Sequence, residues 1–260
     1  MFYFPTLLSG PVTNYRHFQG IEKAPSKFDI NEYVEKYLVP GIKRIVLGMV
    51  KKNLIAELLS SVALPFISID TSSNGRVVLA AYAYCIYVYL DFSGYTDLAV
   101  GLSKILKIEI PENFNNPFKA RNPQDFWSRW HISLSKWLYE YIFAPVYAFL
   151  LRNFPEKMRL FLPGIAIFVT FAFSGVWHGD ESRFVREGLY HATALFIFVN
   201  FDMVMKKYRP ATRRWMRESP VVTGISTFIT FHYIVVSFMF FSLNFQALLK
   251  LGRRLVGGVI

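Results

Sequence analysis

Apolar runs long enough to cross a bilayer organise this chain. A membrane-crossing helix needs about 20 consecutive apolar residues. The stretch 160–179, between Arg159 and Asp180, carries no acidic or basic charge, and neither does 219–249, between Glu218 and Lys250. Both predict spanning helices. Residues 77–103 hold only Asp91 and Asp97 as charges and predict a third span with its polar groups turned into the protein. Residues 188–205 hold only Asp202 and predict a fourth. Residues 42–69 mix an apolar face with Lys43, Arg44, Lys51, Lys52 and Glu57. That pattern suits a span whose basic side chains snorkel to the surface, or a helix lying in the interface.

Between Ile108 and Leu151 the pattern breaks. Pro111, Pro117, Pro123 and Pro145 punctuate the segment, Asn113, Asn115 and Asn116 cluster near its start, and aromatic residues alternate with charges from Phe126 to Tyr141. Short helices and re-entrant backbone fit better than an ordinary span. Irregular backbone persists at membrane depth only where it is buried in protein or lines a polar cavity. The working site is therefore expected here.

Charge adds orientation. Lys206, Lys207, Arg209, Arg213, Arg214 and Arg217 form the densest basic loop, which should face the cytoplasm. Arg152, Lys157 and Arg159 mark a second cytoplasmic loop. The helices 160–177 and 188–205 then form an out-and-back hairpin with His178 in its outward turn. A last span leaving the basic loop would carry Arg253 and Arg254 to the outside, unless that tail lies along a surface or the helix does not simply cross. No basic n-region and no small-residue cleavage site accompany Phe2-Tyr3-Phe4-Pro5, so no secretory leader is expected.

Composition narrows the class. Hydrophobic residues make up 53% and aromatics 18%, while charged residues reach only 18%, and mean hydropathy is +0.29. A disordered chain would show the opposite balance. The net charge of +11 reads as cytoplasmic loops and headgroup contacts rather than nucleic-acid binding. Cys85 is the only cysteine, which excludes a disulfide scaffold and a four-thiolate or two-Cys two-His zinc site.

Histidines are the candidate chemistry. Of His17, His131, His178, His191 and His232, four lie in or beside apolar segments, where an ionisable group marks a functional site by default. His191 and His232 read as hydrogen-bonded structural residues, and His17, beside Arg16, as surface. His131 sits in Phe126-Trp127-Ser128-Arg129-Trp130-His131-Ile132-Ser133, and His178 in Ser174-Gly175-Val176-Trp177-His178-Gly179 at the end of a clean span. A histidine in a partly dry pocket can act as a neutral base toward a hydroxyl. Asp91 reads as a structural or pocket acid and Asp97 as a helix cap. A metal held by the two histidines and an aspartate has no spacing motif behind it. No Gly-x-Ser-x-Gly elbow, P-loop or dinucleotide fingerprint competes.

Four segments in order resemble the membrane-bound O-acyltransferases: Tyr89-Leu90-Asp91-Phe92-Ser93-Gly94-Tyr95-Thr96-Asp97, Pro111-Glu112-Asn113-Phe114-Asn115-Asn116-Pro117-Phe118, the Phe126–Ser133 segment, and Trp177-His178-Gly179. Phe2-Tyr3-Phe4-Pro5-Thr6-Leu7-Leu8-Ser9-Gly10-Pro11 is similar to the family's Phe-Pro…Gly-Pro segment. Within the family the resemblance is to the bacterial proteins of teichoic acid D-alanylation and alginate O-acetylation, with features of each. It implies an all-α polytopic membrane core with re-entrant segments around a central tunnel. The whole chain, 1–260, would form one membrane-embedded unit, the C-terminal portion of the usual family length. His178 would be the catalytic residue and His131 its partner. Trp127, Arg129 and Trp130 would line the donor entrance, Arg129 meeting an anionic carrier group. Ser133, Trp177, Asp91 and Asn116 complete the expected substrate-binding set. The donor would be a cytoplasmic acyl thioester on a carrier protein or coenzyme A. The acceptor would be a hydroxyl of an extracytoplasmic polymer, and other cell-envelope modification proteins would be partners. No cofactor, metal or nucleic acid is implied, and the location is the cell membrane. The rival readings are an exporter with a histidine proton relay, which lacks the inverted repeat such folds show, and a non-catalytic component of a polymer-modification complex.

Overall fold

The computed structural model describes residues 3–7, 10–13, 29–64, 66–68, 72–179 and 181–255. His17 and Asp180 lie outside them. The described residues are mostly helical, with irregular segments and one isolated bridge, Phe114 with Trp130, and with no strand among them, as the all-α expectation requires.

The first helix, α1 (30–60), opens on Asp29, whose side chain accepts from the Asn31 and Glu32 amides. It alternates α-helical turns with π-helical segments at Val34–Leu38 and Val50–Ala56. Its partner is α2 (Asn74–Ile105), capped by Ser73. The two helices nearly touch at paired glycines. A Cβ on Gly48 would lie 2.6 Å from the Gly94 carbonyl oxygen, and one on Gly101 2.7 Å from that of Gly41. Only glycine permits that approach.

This packing corrects two expectations. Lys51 and Lys52 do not snorkel. Lys51 pairs with Asp97 at 2.7 Å and Lys52 pairs with Asp91, while Ile42, Val46, Leu54 and Leu58 face outward. The two lysines thus turn toward α2 while these apolar side chains turn away from it. Asp97 is no cap either. It lies mid-helix, 3% exposed, held by Arg44 and Lys51, because a buried carboxylate must be paired.

Residues 108–131 run irregularly around the short helix α3 (Pro123–Trp127). Helix α4 (132–153) follows, with a π-helical segment at Tyr139–Phe143. Helices α5 (Leu162–Trp177) and α6 (Ser182–Tyr208) form the expected hairpin. A Cβ on Gly188 would stand 2.5 Å from the Gly175 Cα, and one on Gly164 2.4 Å from the Asn200 side chain. The fourth expected span is longer than its uncharged core, because Glu187 bonds His191 and Asp202 bonds Arg213. By length and composition α2, α6 and the later helix α8 (Pro220–Ser242) can cross a membrane. Helix α5, expected to span, has only 16 residues, starting at Leu162-Pro163 and ending at Trp177.

The basic stretch expected as a loop is a helix, α7 (Pro210–Glu218). Arg213 clasps Asp202 at 2.7 and 2.8 Å, and Trp215 is exposed. The expected run 219–249 is split. Helix α8 stops at Ser242, and α9 (Phe245–Leu255) turns away to lie over the start of α2, with Arg254 on the Asn74 side chain and the Ser72 carbonyl. Arg254 thus has a surface seat at the end of the bundle opposite α7. The main core joins α2, α3 and α8 through Tyr84, Cys85, Phe126, Trp130, Ile234 and Phe238.

Candidate active site

His131 is placed by backbone pairing. The Asn115 amide donates to the Arg129 carbonyl at 2.9 Å and the Ile132 amide to the Asn113 carbonyl at 3.0 Å. The Asn113 side-chain oxygen, fully buried, accepts from the Ser133 amide at 3.2 Å and the Ser133 hydroxyl at 2.6 Å. The Val12 amide donates to the same hydroxyl at 2.8 Å, pinning the N-terminal segment. Between these anchors His131 takes φ 44°, ψ 51°. That left-handed conformation costs a side-chain-bearing residue about 1 kcal/mol or more, and such residues cluster at functional sites.

His178 follows the last turn of α5, its amide bonded to the Ser174 carbonyl at 3.1 Å. Its ring packs on Trp177, Phe184 and Phe241. The Gly175–Gly188 contact one turn earlier sets this end of α5 against α6.

Both histidines line one cavity of about 720 Å³. Its other walls include Tyr87, Asp91, Phe92 and Tyr95 from α2, Lys52 from α1, Trp177, and the N-terminal residues 3, 6, 7 and 10–13. That segment is tied to α2 by Tyr3 on Ser103 and by the Tyr95 hydroxyl on the Pro5 carbonyl. The His131 Nδ1 is buried with no hydrogen bond among the described residues. A neutral imidazole facing an open cavity can accept a proton, and a second one beside it can donate a hydrogen bond.

A second cavity, about 690 Å³, lies at the α7 end and is lined by Arg121, Asp125, Arg129, Asp202, Arg213 and Arg217 among others. Arg129 bonds Asp125 at 2.7 Å there. Trp127 lines neither cavity. Its ring packs on Phe171 and His191 between the bundle's two ends.

Several expected binding residues sit elsewhere. Trp130 is a core residue, 6% exposed, enclosed by Phe92, Phe114, Phe126 and Phe238, because an indole amid that many aromatic rings has no route to a cavity. Ser133 is consumed in holding Asn113 and Val12. Asn116 is exposed outside both cavities, at φ 47°, where it starts the turn Pro117–Lys119. Asp91 and Trp177 do line the histidine cavity. His191, 2% exposed and hydrogen-bonded, and His232, bonded to the Phe228 carbonyl, keep structural settings. Lys52, read as a snorkelling residue, lines the histidine cavity, and Glu187 escaped the sequence reading. Their signal was a charge in an apolar helix, which needs a partner. Among the described residues no three His, Cys, Asp or Glu side chains converge as a metal would need.

Among the described residues a helical bundle with three helices able to cross a membrane brings two histidines, distant in sequence, to one cavity. The chain belongs to the membrane-bound O-acyltransferase family, whose sequence model matches residues 1–243. It is 34% identical over 244 residues to a teichoic acid D-alanyltransferase of Bacillus subtilis, covering 92% of this chain and 59% of that protein. It is 32% identical to a peptidoglycan O-acetyltransferase of Helicobacter pylori, over 98% of this chain and 45% of that one. It is also 32% identical to a probable alginate O-acetylase of Azotobacter vinelandii, over 82% and 40%. The chain thus spans 59% or less of the length of these relatives.

Proposed function

We propose that this chain carries the catalytic portion of an O-acyltransferase that moves an acetyl or D-alanyl group from a cytoplasmic thioester to a hydroxyl of an extracytoplasmic polymer. The observation that carries this reading is the shared cavity of His131 and His178. His178 takes the acceptor hydroxyl proton as the oxygen attacks the thioester carbonyl. His131 donates a hydrogen bond to the oxyanion that forms. Collapse breaks the carbon–sulfur bond, and the proton on His178 passes to the departing thiolate. Neutral histidines suit both steps.

The two cavities give the reaction its polarity. Positive-inside charge sets the α7 end toward the cytoplasm, in a multi-pass protein of the cell membrane. The arginine-lined cavity with Arg129 is then the donor mouth, its guanidinium groups meeting the phosphate of a carrier arm. The histidine cavity, with Tyr87, Tyr95 and Trp177, opens toward the acceptor; aromatic rings there suit a polyol or sugar. Relatives acting on teichoic acid, peptidoglycan and alginate have similar identities, 34%, 32% and 32%, so the shared chemistry is transfer to a polymer hydroxyl.

The test is His178→Ala in the intact protein, purified in detergent and supplied with an acyl thioester and a polyol acceptor. Turnover should fall by about 10²–10⁴-fold with the protein still membrane-inserted and folded. Turnover near wild type would overturn the mechanism. An exporter would show no transfer in detergent, where no gradient exists.

A further inference from the structure

Behind His178 lies a buried polar line that the reaction above does not use. Glu187 and His191 sit one turn apart on α6, with Glu187 Oε1 3.0 Å from His191 Nε2. Their side chains are 13% and 2% exposed. On the other side of the imidazole, Nδ1 meets the Tyr233 hydroxyl from α8, and the Trp127 indole N–H points at the same atom from 3.4 Å. Two donors aimed at Nδ1 make it the acceptor, so the ring proton sits on Nε2 and is donated to Glu187. Tyr190 fixes the far side, its hydroxyl on the Tyr233 carbonyl at 3.1 Å and its ring stacked on Tyr233.

This arrangement holds Glu187 rather than the reverse. The carboxylate has one oxygen committed to His191. Its neighbours on α6 bracket His178. Phe184, one turn earlier, packs against the His178 ring and under Gly179. Gly188, the next residue, is pressed on Gly175. The Glu187 carboxylate therefore stands on the side of α6 that faces the end of α5, where His178 is seated. The other titratable groups around His178 are His131, His191, the Lys52–Asp91 pair and the cavity tyrosines Tyr3, Tyr87 and Tyr95. Arg183 and Arg186, also on α6, are turned to Glu181 and to the Leu243 carbonyl. A buried ionisable pair is costly to keep, and a carboxylate behind a base histidine favours the imidazolium that forms when the base takes a proton.

We infer that Glu187, oriented by the Trp127–His191–Tyr233 cluster, is a positioning residue for His178 that stabilises its protonated form during acyl transfer. The inference rests on the acyltransferase reading. In each transfer Glu187 exchanges no proton; it lowers the cost of holding one on His178 between attack of the hydroxyl and release of the thiol.

The experiment compares Glu187→Gln and Glu187→Asp with wild type in an enzyme already shown to transfer acyl groups and to lose activity as His178→Ala. That order separates failure of this inference from failure of the reaction itself. Glu187→Gln should lower kcat more than 10-fold with the acceptor KM within about twofold. It should also move the acidic limb of kcat/KM down by about one pH unit, because removing the carboxylate makes His178 harder to protonate. Glu187→Asp should recover part of both. A kcat loss with an unmoved acidic limb would mark a structural role and overturn the inference, as would wild-type kcat. Should Glu187→Gln fail to fold, Tyr233→Phe removes only one oxygen. It should lower kcat several-fold at unchanged acceptor KM, and unchanged kcat there would overturn the inference as well.

Discussion

Replacing Gly188 by Ala tests whether the glycine contact between α5 and α6 sets the position of His178. The new methyl would stand 2.5 Å from the Gly175 Cα, 2.8 Å from its nitrogen and 2.9 Å from the Phe171 carbonyl oxygen. All three are backbone atoms, so no side-chain rotation relieves the clash. Ordinary van der Waals contact begins at 3.4 Å, and the helices must separate by about 0.9 Å to reach it. Overpacking of this kind costs about 1–3 kcal/mol, or roughly 2–4 °C of melting temperature per kcal/mol for a domain of this size. The separation falls one turn before His178. A displacement near 1 Å of a reacting group costs on the order of 10²-fold in rate. The matched control is Gly224→Ala on α8, where a Cβ meets nothing within 4 Å; gaining a better helix former there should stabilise by up to about 1 kcal/mol. Both variants would be followed by thermal unfolding in detergent and by acyl-transfer turnover. If Gly188→Ala melts and turns over like Gly224→Ala, close packing of α5 on α6 does not position the site.

Other outcomes follow from the same structure. Cysteine placed at exposed Ala211 on α7 should resist an impermeant thiol reagent outside intact cells and label after permeabilisation; buried Cys85 gives no background, and ready outside labelling would invert the orientation. Ser133→Ala strips Asn113 and the Val12 amide of their shared partner. It should cost about 1–3 kcal/mol in thermal stability and lower turnover by loosening His131, and an unaffected enzyme would show that the anchor is dispensable.

The sequence made the helices and the two histidines legible because both are local signals. Residues 77–103 held two aspartates among apolar residues and proved to lie inside one long helix. The proline- and asparagine-rich middle proved irregular. What stayed hidden depends on partners far along the chain. Lys51 and Lys52 look like snorkelling residues until Asp97 and Asp91 are known to stand opposite. The π-helical turn at Val50–Ala56 that carries both lysines has no composition of its own. Trp130 and Trp127 share a motif, yet one is enclosed by four phenylalanine rings and the other reaches His191. In α7 the density of arginine masked a helix held by Arg213 on Asp202. No periodicity pointed to Glu187 either. Its meaning comes from α8, which supplies Tyr233.

The shortness of α5 has a consequence for where bonds are made. Its 16 residues rise only about 24 Å, against a hydrocarbon layer near 30 Å. A helix anchored at its basic end by Arg159 cannot carry Trp177 and His178 to the opposite headgroup plane. In the proposed orientation His178 stops about 6 Å short of it, inside the protein cavity but below the level of the headgroups. An acceptor chain must then dip below the outer surface to be modified, or the bilayer must dimple to meet it. Thickness of the host membrane becomes a setting of the reaction: short-tailed lipids bring the polymer nearer, while long-tailed ones deepen the well it has to enter.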